Sequence, residues 1–145
     1  MLLSTNIVTG RGKVEYWSEI VCRTFCEAAL EVTSAHEHFH GSINVADCGA
    51  IRVARIDSFP QRVLRTPASI ARSEYELYFL ILQIKGFGHH RQAGRGGCLQ
   101  PGDFAILDTA RPYDLCEPFS RVPPEGSIMK SSGMSLSSMI GVPSI

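Results

Sequence analysis

Apolar residues recur every three or four positions from Glu15 to about Leu30, with Glu and Arg side chains on the opposite side. That spacing is typical of an amphipathic helix that packs on a larger body. Trp17 is the largest side chain of the apolar stripe, and we interpret it as the packing anchor. Residues 1–13, which precede the helix, are expected to form a loose lead-in.

Beyond Ser34 the apolar period falls to two, which is typical of β-strands. The segment 74–85 is apolar at both parities. We therefore expect a central strand with both faces buried, the barrel interior on one side and a helix or second sheet on the other. Residues 68–73 are interpreted as a polar connector. The predicted strands are 41–47 and 51–58, which form a hairpin around Cys48-Gly49-Ala50, then 63–66, 74–85 and a return strand over 89–95.

A Pro-Gly pair late in the chain separates two further apolar segments. Pro101 fixes the φ of a turn's second residue, and Gly102 supplies the positive φ that a type II turn needs next. We assign Pro101, Gly102 and Asp103 as a structural turn between a strand ending near Leu99 and one at 104–107. With this much β pattern, the fold class is predicted to be mainly β (α+β), a small barrel or sandwich that carries the N-terminal helix.

From about residue 121 onward the periodic pattern is lost. Ser, Pro and Gly punctuate isolated apolar residues, so we expect an irregular, poorly ordered tail over 121–145. A sheet that lacked its last strand there would leave an unpaired edge, through which copies would associate or aggregate. The region 14–120 has the length of one domain.

Length and composition bear on several classes of function. The chain has 145 residues, and its 14 Lys and Arg balance its 14 Asp and Glu, so it provides no broad positive field for nucleic acid. No apolar run reaches membrane-spanning length, and residues 1–13 lack the core of a signal peptide. We therefore expect no membrane association. The five cysteines form no Cys-x-x-Cys pair, and without a secretory signal we expect free thiols in a reducing cytoplasm.

Short motifs follow one another along the chain, from the first helix to the last predicted strand. They are Tyr16-Trp17, Phe39-x-Gly41, Val63-Leu64-Arg65-Thr66, Tyr75-x-Leu77-x-Phe79-Leu80-x-Leu82 with Gly86, Gln92-x-Gly94-Arg95, Leu99-x-Pro101-Gly102-Asp103-Phe104 and Asp108-Thr109-x-Arg111-Pro112-Tyr113. In this order they resemble the cupin-like N-terminal ligand-binding and dimerisation domain of AraC-family bacterial transcriptional regulators. The resemblance covers roughly residues 14–120, and the ordered set carries it rather than any single motif.

The resemblance implies a cupin-like β-barrel that senses a small-molecule effector and dimerises, either with itself or with a full-length regulator. The residues themselves show no catalytic apparatus, so we expect no enzyme activity and no cofactor. Members of that family usually carry a second domain of helix-turn-helix motifs, and no such pattern follows residue 120 in this sequence. We therefore expect a truncated regulator or a fragment, which does not bind DNA directly on its own.

Five residues are candidates for contact with the effector. Arg55 and Arg65 can each offer a fork of donors to an acidic effector, although a strand end or a surface ion pair explains either residue as well. Gln92 is placed on the return strand beside the expected pocket mouth, with a solvent-facing position as the alternative. Tyr78, on the strongest strand, and Tyr113, after the Pro-Gly unit, complete the set.

The main alternative is a small metal-dependent cupin enzyme. His36, His38 and His40 share one parity if that segment is extended, and His89-His90 lie elsewhere. The segment 104–107 contains no histidine where the second cupin motif would place one, so we assign no metal and no catalytic residues. Cys22 and Cys26, four apart on the predicted helix, are interpreted as small buried side chains rather than as a metal or redox pair.

Overall fold

The structure, a computed structural model, describes residues 1–32, 34–116 and 135–143. Within these ranges the chain forms antiparallel strands and two α-helices, with short 3-10 turns at Thr5–Ile7 and His36–His38. The elements are β1 (Leu2–Ser4), α1 (Gly12–Thr24), β2 (Ala29–Val32), β3 (Gly41–Cys48), β4 (Ile51–Ser58), β5 (Gln61–Arg65), α2 (Pro67–Ala71), β6 (Leu77–Lys85), β7 (Gly88–Gln92), β8 (Arg95–Leu99), β9 (Phe104–Asp108), β10 (Tyr113–Cys116) and β11 (Ser135–Pro143).

The strands form two sheets that share one core with α1. The six-stranded sheet has the order β1-β3-β4-β11-β6-β9, and the five-stranded sheet has the order β2-β5-β10-β7-β8. Buried apolar side chains from both sheets and from α1 belong to a single cluster. The predicted fold class, mainly β with one N-terminal amphipathic helix, is confirmed, and so is the hairpin of β3 and β4.

Helix α1 is fixed to the sheets by its single tryptophan. Trp17 is fully buried, and its indole Nε1 donates a hydrogen bond of 2.8 Å to Oε1 of Gln61 on β5. The ring also packs on Phe39, with 5.7 Å between ring centroids. Gly41 at the start of β3 leaves room for this ring, because a Cβ atom there would lie 2.6 Å from the indole. Trp17 is therefore the packing anchor that the apolar stripe predicts.

The helix is shorter than the apolar period indicates. Its last residue is Thr24, and Ala29–Val32 form β2, which pairs with β5. The prediction of a helix to Leu30 is wrong because pairing with the exposed edge of β5 supplies hydrogen bonds for this segment. Likewise, the predicted connector at 68–73 contains α2, which begins with Thr66 as N-cap and Pro67 in the first turn.

Strand β6 is an internal strand of the six-stranded sheet, between β11 and the edge strand β9, but only one of its faces is buried. Phe79 and Ile81 point into the core, whereas Tyr78, Leu82 and Ile84 are 44%, 38% and 39% exposed on the other face. The prediction that both faces are buried is wrong. The predicted return strand, β7, pairs with β8 and β10 in the five-stranded sheet and leaves β6 to pair with β9 and β11.

The Pro-Gly turn carries the chain from one sheet to the other. Gly102 has a φ of +94°, and the carboxylate of Asp103 accepts a hydrogen bond of 2.9 Å from the backbone N–H of Gln100. The Gly102 N–H also donates to the Gln83 carbonyl of β6 at 2.8 Å. The turn therefore joins β8 to β9 across the sandwich instead of closing a hairpin within one sheet.

Both ends of the described chain belong to the six-stranded sheet. Leu2–Ser4 pair with β3, so the expected loose lead-in includes an edge strand. Ser135–Pro143 form β11 between β4 and β6, and the expectation of an irregular tail is wrong for these residues. Serines and a glycine obscure the strand signal of Leu136, Ile140 and Val142, which share one parity. Residues 121–134 and 144–145 of the predicted tail lie outside the described residues.

Candidate functional site

A cavity of about 70 Å³ lies inside the sandwich, between the C-terminal half of α1 and both sheets. Its wall is mainly apolar, because the inward positions of the strands and the buried stripe of α1 meet there. The apolar side chains that line it include Val21, Phe25, Ile56, Phe79, Ile81 and Leu115.

Polar side chains occupy a part of the wall contributed by β5, β6 and β7. Gln61, Gln83 and His89 line the cavity there. The amide of Gln61 accepts from Trp17 and donates to the Ser58 hydroxyl at 3.1 Å, so its orientation is fixed. The amide Nε2 of Gln83 donates to the Lys85 carbonyl at 2.8 Å. The cavity therefore offers oriented amide groups beside an apolar body.

Tyr113 and Cys26 form another part of the wall. The Tyr113 hydroxyl and the Cys26 sulfur lie 3.6 Å apart, and both residues are buried. Burial raises the pKa of Tyr113 well above its usual value, because the phenolate would lose its hydration there. Burial also raises the pKa of the Cys26 thiol, although the hydrogen bond with Tyr113 and the charge of Arg65 act in the opposite direction. This part of the wall favours neutral groups.

Arg65 lies beside this part of the wall but is not one of the residues that line the cavity. Its position in β5 is directly opposite Tyr113, and it is only 2% exposed. Nε donates to the Thr109 carbonyl at 3.0 Å, while Nη2 is buried with no hydrogen-bond partner among the described residues. Nη1 donates to the carbonyl oxygens of Glu27 and Ser69 and to the hydroxyl of Ser73. Arg65 thereby ties together the segment after α1, α2 and the β9–β10 loop.

The other predicted contact residues lie away from the cavity. Arg55 and Tyr78 are exposed on the outer face of the six-stranded sheet, so neither contacts a ligand held inside the sandwich. Gln92, at the end of β7, makes two hydrogen bonds to the backbone of Asp108. Its Oε1 accepts from the Asp108 N–H at 2.9 Å, and its Nε2 donates to the Asp108 carbonyl at 2.7 Å. Of the five candidates, the structure brings only Tyr113 to the cavity wall.

Two lining residues, Gln83 and Gln61, carry a signal in the sequence that the pattern analysis missed. Gln83 follows Phe79 and Ile81 at the same parity, and a polar residue within a buried series is informative because its hydrogen bonds must be satisfied inside. Gln61 has the same relation to Val63 in β5.

A wider groove of about 360 Å³ opens to solvent where α1 ends, next to the β3–β4 turn. Arg52 lies in it, with Nε donating to the Asp47 carboxylate at 2.8 Å and Nη1 to the Thr24 carbonyl at 3.3 Å. The Arg52 hydrogen bond lowers the pKa of Asp47. Phe25 and Phe79 line both the groove and the cavity, and their rings meet edge to face with centroids 6.0 Å apart. This aromatic pair separates the two spaces.

The histidines of the metal hypothesis do not converge. His36 and His38 lie in a 3-10 turn, and Nδ1 of His40 lies 3.2 Å from Oδ1 of Asn6. Over residues 1–32, 34–116 and 135–143, no three His, Cys, Asp or Glu side chains are close enough together to hold a metal ion. In the same ranges, no helix has the length and hydropathy needed to cross a membrane.

Solved structures with similar architecture define the class of fold. The AraC-like transcriptional activator CuxR matches with a TM-score of 0.76 and 11% identity, over 99% of this chain and 46% of that chain. The cupin domain of Cnp3 from Schizosaccharomyces pombe matches with a TM-score of 0.50 and 4% identity, over 72% of this chain and 65% of that one. At such identities the likeness concerns the fold, and the class is a cupin-like β-sandwich.

Sequence relatives give the family. The model of the AraC-binding-like domain matches residues 17–117, so the chain belongs to that family. An uncharacterized protein in the nit 5' region of Bacillus sp. (strain OxB-1) is 30% identical over 123 residues, which are 83% of this chain and 47% of that protein. The transcriptional activator NphR of Rhodococcus sp. is 30% identical over 117 residues, 81% of this chain and 35% of NphR. The chain thus spans about half of one relative and a third of the other.

Proposed function

We propose that this chain is the effector-sensing domain of an AraC-type transcriptional regulator, and that a small molecule binds in the cavity between α1 and the two sheets. The observation that carries the proposal is the interior cavity, with an apolar body and oriented amides, in a member of the AraC-binding-like family. Ligand sites in proteins typically combine such an apolar wall with a few fixed polar groups.

Helix α1 is the element through which binding would be transmitted. Trp17, near the middle of the helix, is fixed by the Gln61 hydrogen bond, while Val21 and Phe25 line the cavity at its C-terminal end. A ligand that fits better when this end moves outward favours that arrangement by its difference in affinity for the two states. We propose that the rest of a regulator reads the position of α1.

Binding in the cavity is tested by filling it. Val63 and Val45 are both half-buried strand valines, but only Val63 lines the cavity. Thermal denaturation of the wild type, Val63→Phe and Val45→Phe is followed with a panel of small metabolites. We expect at least one compound to raise the melting temperature of the wild type and of Val45→Phe but not of Val63→Phe. Shifts that persist in Val63→Phe would place binding elsewhere and contradict the proposal.

We propose that the chain is not an enzyme. The regulatory family and the separation of the histidines support this against the metal-dependent cupin alternative. Metal analysis of the purified protein distinguishes the two: a stoichiometric metal that is lost when His36, His38 and His40 are changed to Ala would favour the enzyme.

We also propose that the domain associates with a second copy of itself or with the same domain of a full-length regulator in the cytoplasm. Support comes from the outer face of β6 and β9, where Phe104 and Ile106 are each 62% exposed beside Leu82. Exposed apolar patches of this kind mark interaction surfaces, and a net charge of zero adds no repulsion between copies.

Sedimentation of the wild type and of Phe104→Ser/Ile106→Ser tests this association. The proposal predicts a dimer that dissociates in the double variant, and a wild type that remains monomeric at high concentration would refute it. DNA binding is assigned to another part of a longer regulator, so we expect this chain alone to cause no shift of an operator fragment in a gel.

A further inference from the structure

The cavity wall differs from the expectation of an acidic effector. Among the described residues, the wall contains no Asp, Glu, Lys or Arg side chain, and His89 is its only imidazole. The buried charge beside the cavity is Arg65, whose Nε and Nη1 donate to backbone carbonyls and to the Ser73 hydroxyl. Its Nη2 is buried with no hydrogen-bond partner among the described residues, but Arg65 does not line the cavity. A charged ligand in the cavity would therefore lack a direct counter-charge from these residues.

Transfer of an unpaired ion from water into such a site is strongly unfavourable in free energy, because the protein offers no groups that replace the hydration the ion loses. Two ionisable groups of the wall, Tyr113 and Cys26, show the same preference. Burial raises the pKa of both Tyr113 and Cys26 even though the positive charge of Arg65 acts to lower them. Desolvation thus outweighs the attraction of Arg65 for a negative charge at this part of the wall. A cation would find no carboxylate among the described residues that line the cavity.

The polar groups that do face the cavity suit an uncharged ligand. Gln61 uses its amide oxygen for Trp17 and one amide N–H for Ser58, which leaves its second N–H to donate. The Tyr113 hydroxyl is paired with a thiol, which is a weak partner, so a ligand oxygen can replace it. One or two such hydrogen bonds orient a neutral amide, alcohol or carbonyl.

The volume of the cavity further restricts which ligands can bind. An apolar cavity of about 150 Å³ accepts benzene, and this cavity measures about 70 Å³. A ligand with one ring therefore requires a wall side chain to move. Phe25 is the best placed, since it follows the end of α1 and forms, with Phe79, the partition toward the open groove.

We propose that the effector is a compact, uncharged molecule of about one ring, which binds in the cavity by displacing the Phe25 ring toward the groove and hydrogen-bonds to Gln61 or Tyr113. This inference rests on the proposed sensing function. It replaces an acidic effector, for which Arg65 would have been the anchor, with a neutral one.

Matched probe pairs test the class of ligand. Benzamide and benzoate have the same shape but differ in charge at neutral pH, and so do benzyl alcohol and benzylammonium. Titration calorimetry is expected to show saturable binding of the neutral member of each pair and at least about tenfold weaker binding of the ion. Phe25→Leu should strengthen binding of the neutral probes several-fold, because the partition is smaller, whereas Val63→Phe should remove it and Val45→Phe should leave it unchanged.

The outcomes separate the two proposals. Benzoate binding that is stronger than benzamide binding, and that Val63→Phe removes, would overturn the neutral class while supporting a sensing cavity. Failure of all four probes to bind the wild type and Phe25→Leu would overturn the neutral class. If the metabolite panel also gave no shift that Val63→Phe removes, the sensing function would fall as well. Neutral binding that Phe25→Leu weakens would overturn the role assigned to Phe25.

Discussion

The two faces of β6 are similarly apolar in sequence but differ in their surroundings. Phe79 and Ile81 on the inner face are buried against α1 and the second sheet, and Gln83 continues that face to the cavity wall. On the outer face, Tyr78 and Leu82 remain about two fifths exposed. An apolar strand pattern therefore predicts that the strand belongs to a packed sheet, but it does not predict whether one or both faces of that sheet are covered.

The largest effect is expected for Phe79→Ala. The ring lies in the core and contacts Phe25, so its removal leaves a cavity, and the free energy of unfolding should fall by about 3–5 kcal/mol. Urea denaturation measures the change. A loss below about 1 kcal/mol would show that the inner face is not closed by α1.

Gly41→Ala sharpens the comparison at the point where α1 meets the six-stranded sheet. A Cβ atom at this position would lie 2.6 Å from the buried Trp17 ring, so the helix must shift. We expect a loss of about 1–3 kcal/mol in the free energy of unfolding. Gly94→Ala is not a suitable control, because the φ of Gly94 is +74°. The control is Ala46→Gly, in the same strand as Gly41, because it adds no atom beside Trp17. An unchanged stability of Gly41→Ala would mean that Trp17 is not held against β3.

Because Tyr113 is buried on the cavity side of its sheet, its ionisation makes the free energy of unfolding depend on pH. Because burial raises the pKa of this phenol in the folded state, the unfolded chain loses the proton first as pH rises. The stability from the neutral phenol is complete below about pH 10, the usual value, and is lost as pH rises further toward the folded pKa. Denaturation midpoints of the wild type should fall in this window more steeply than those of Tyr113→Phe. Parallel curves would contradict a buried phenol.

The smallest effect is expected for Tyr78→Ala on the outer face. Tyr78 precedes Phe79 in the chain, and at 44% exposure its removal should change the free energy of unfolding by less than about 1 kcal/mol. Urea denaturation at low protein concentration keeps association out of the measurement. A loss as large as that of Phe79→Ala would mean that the outer face is covered in solution even in the monomer.

Local patterns predicted much of the fold. The stripe around Trp17, the β3–β4 hairpin and the turn at Pro101 and Gly102 depend on neighbours in the chain, and the structure has all three. Pairing between distant segments was not predictable in the same way. β2 is a strand because it pairs with the edge of β5. β11 lies between β4 and β6, although its serines and glycine are typical of an irregular segment.

The candidate site was predictable only in part, for a related reason. From the sequence alone, an arginine within a strand is equally consistent with binding a ligand and with a structural role. For Arg65 the structural role depends on hydrogen bonds to residues far along the chain, such as the Thr109 carbonyl. Gln61 and Gln83 became informative once the inward parity of β5 and β6 was known. Which residues line the cavity depends on how the helix and both sheets pack together, and no single segment of the sequence contains that information.

The fluorescence of Trp17 gives the most direct test of a ligand site beneath α1, since this is the only tryptophan in the chain and it lines the cavity. Titration with benzamide should produce a saturable change in its emission in the wild type and in Val45→Phe, and none in Val63→Phe. An identical change in the two valine variants would show that the probe binds outside the cavity and would contradict the account.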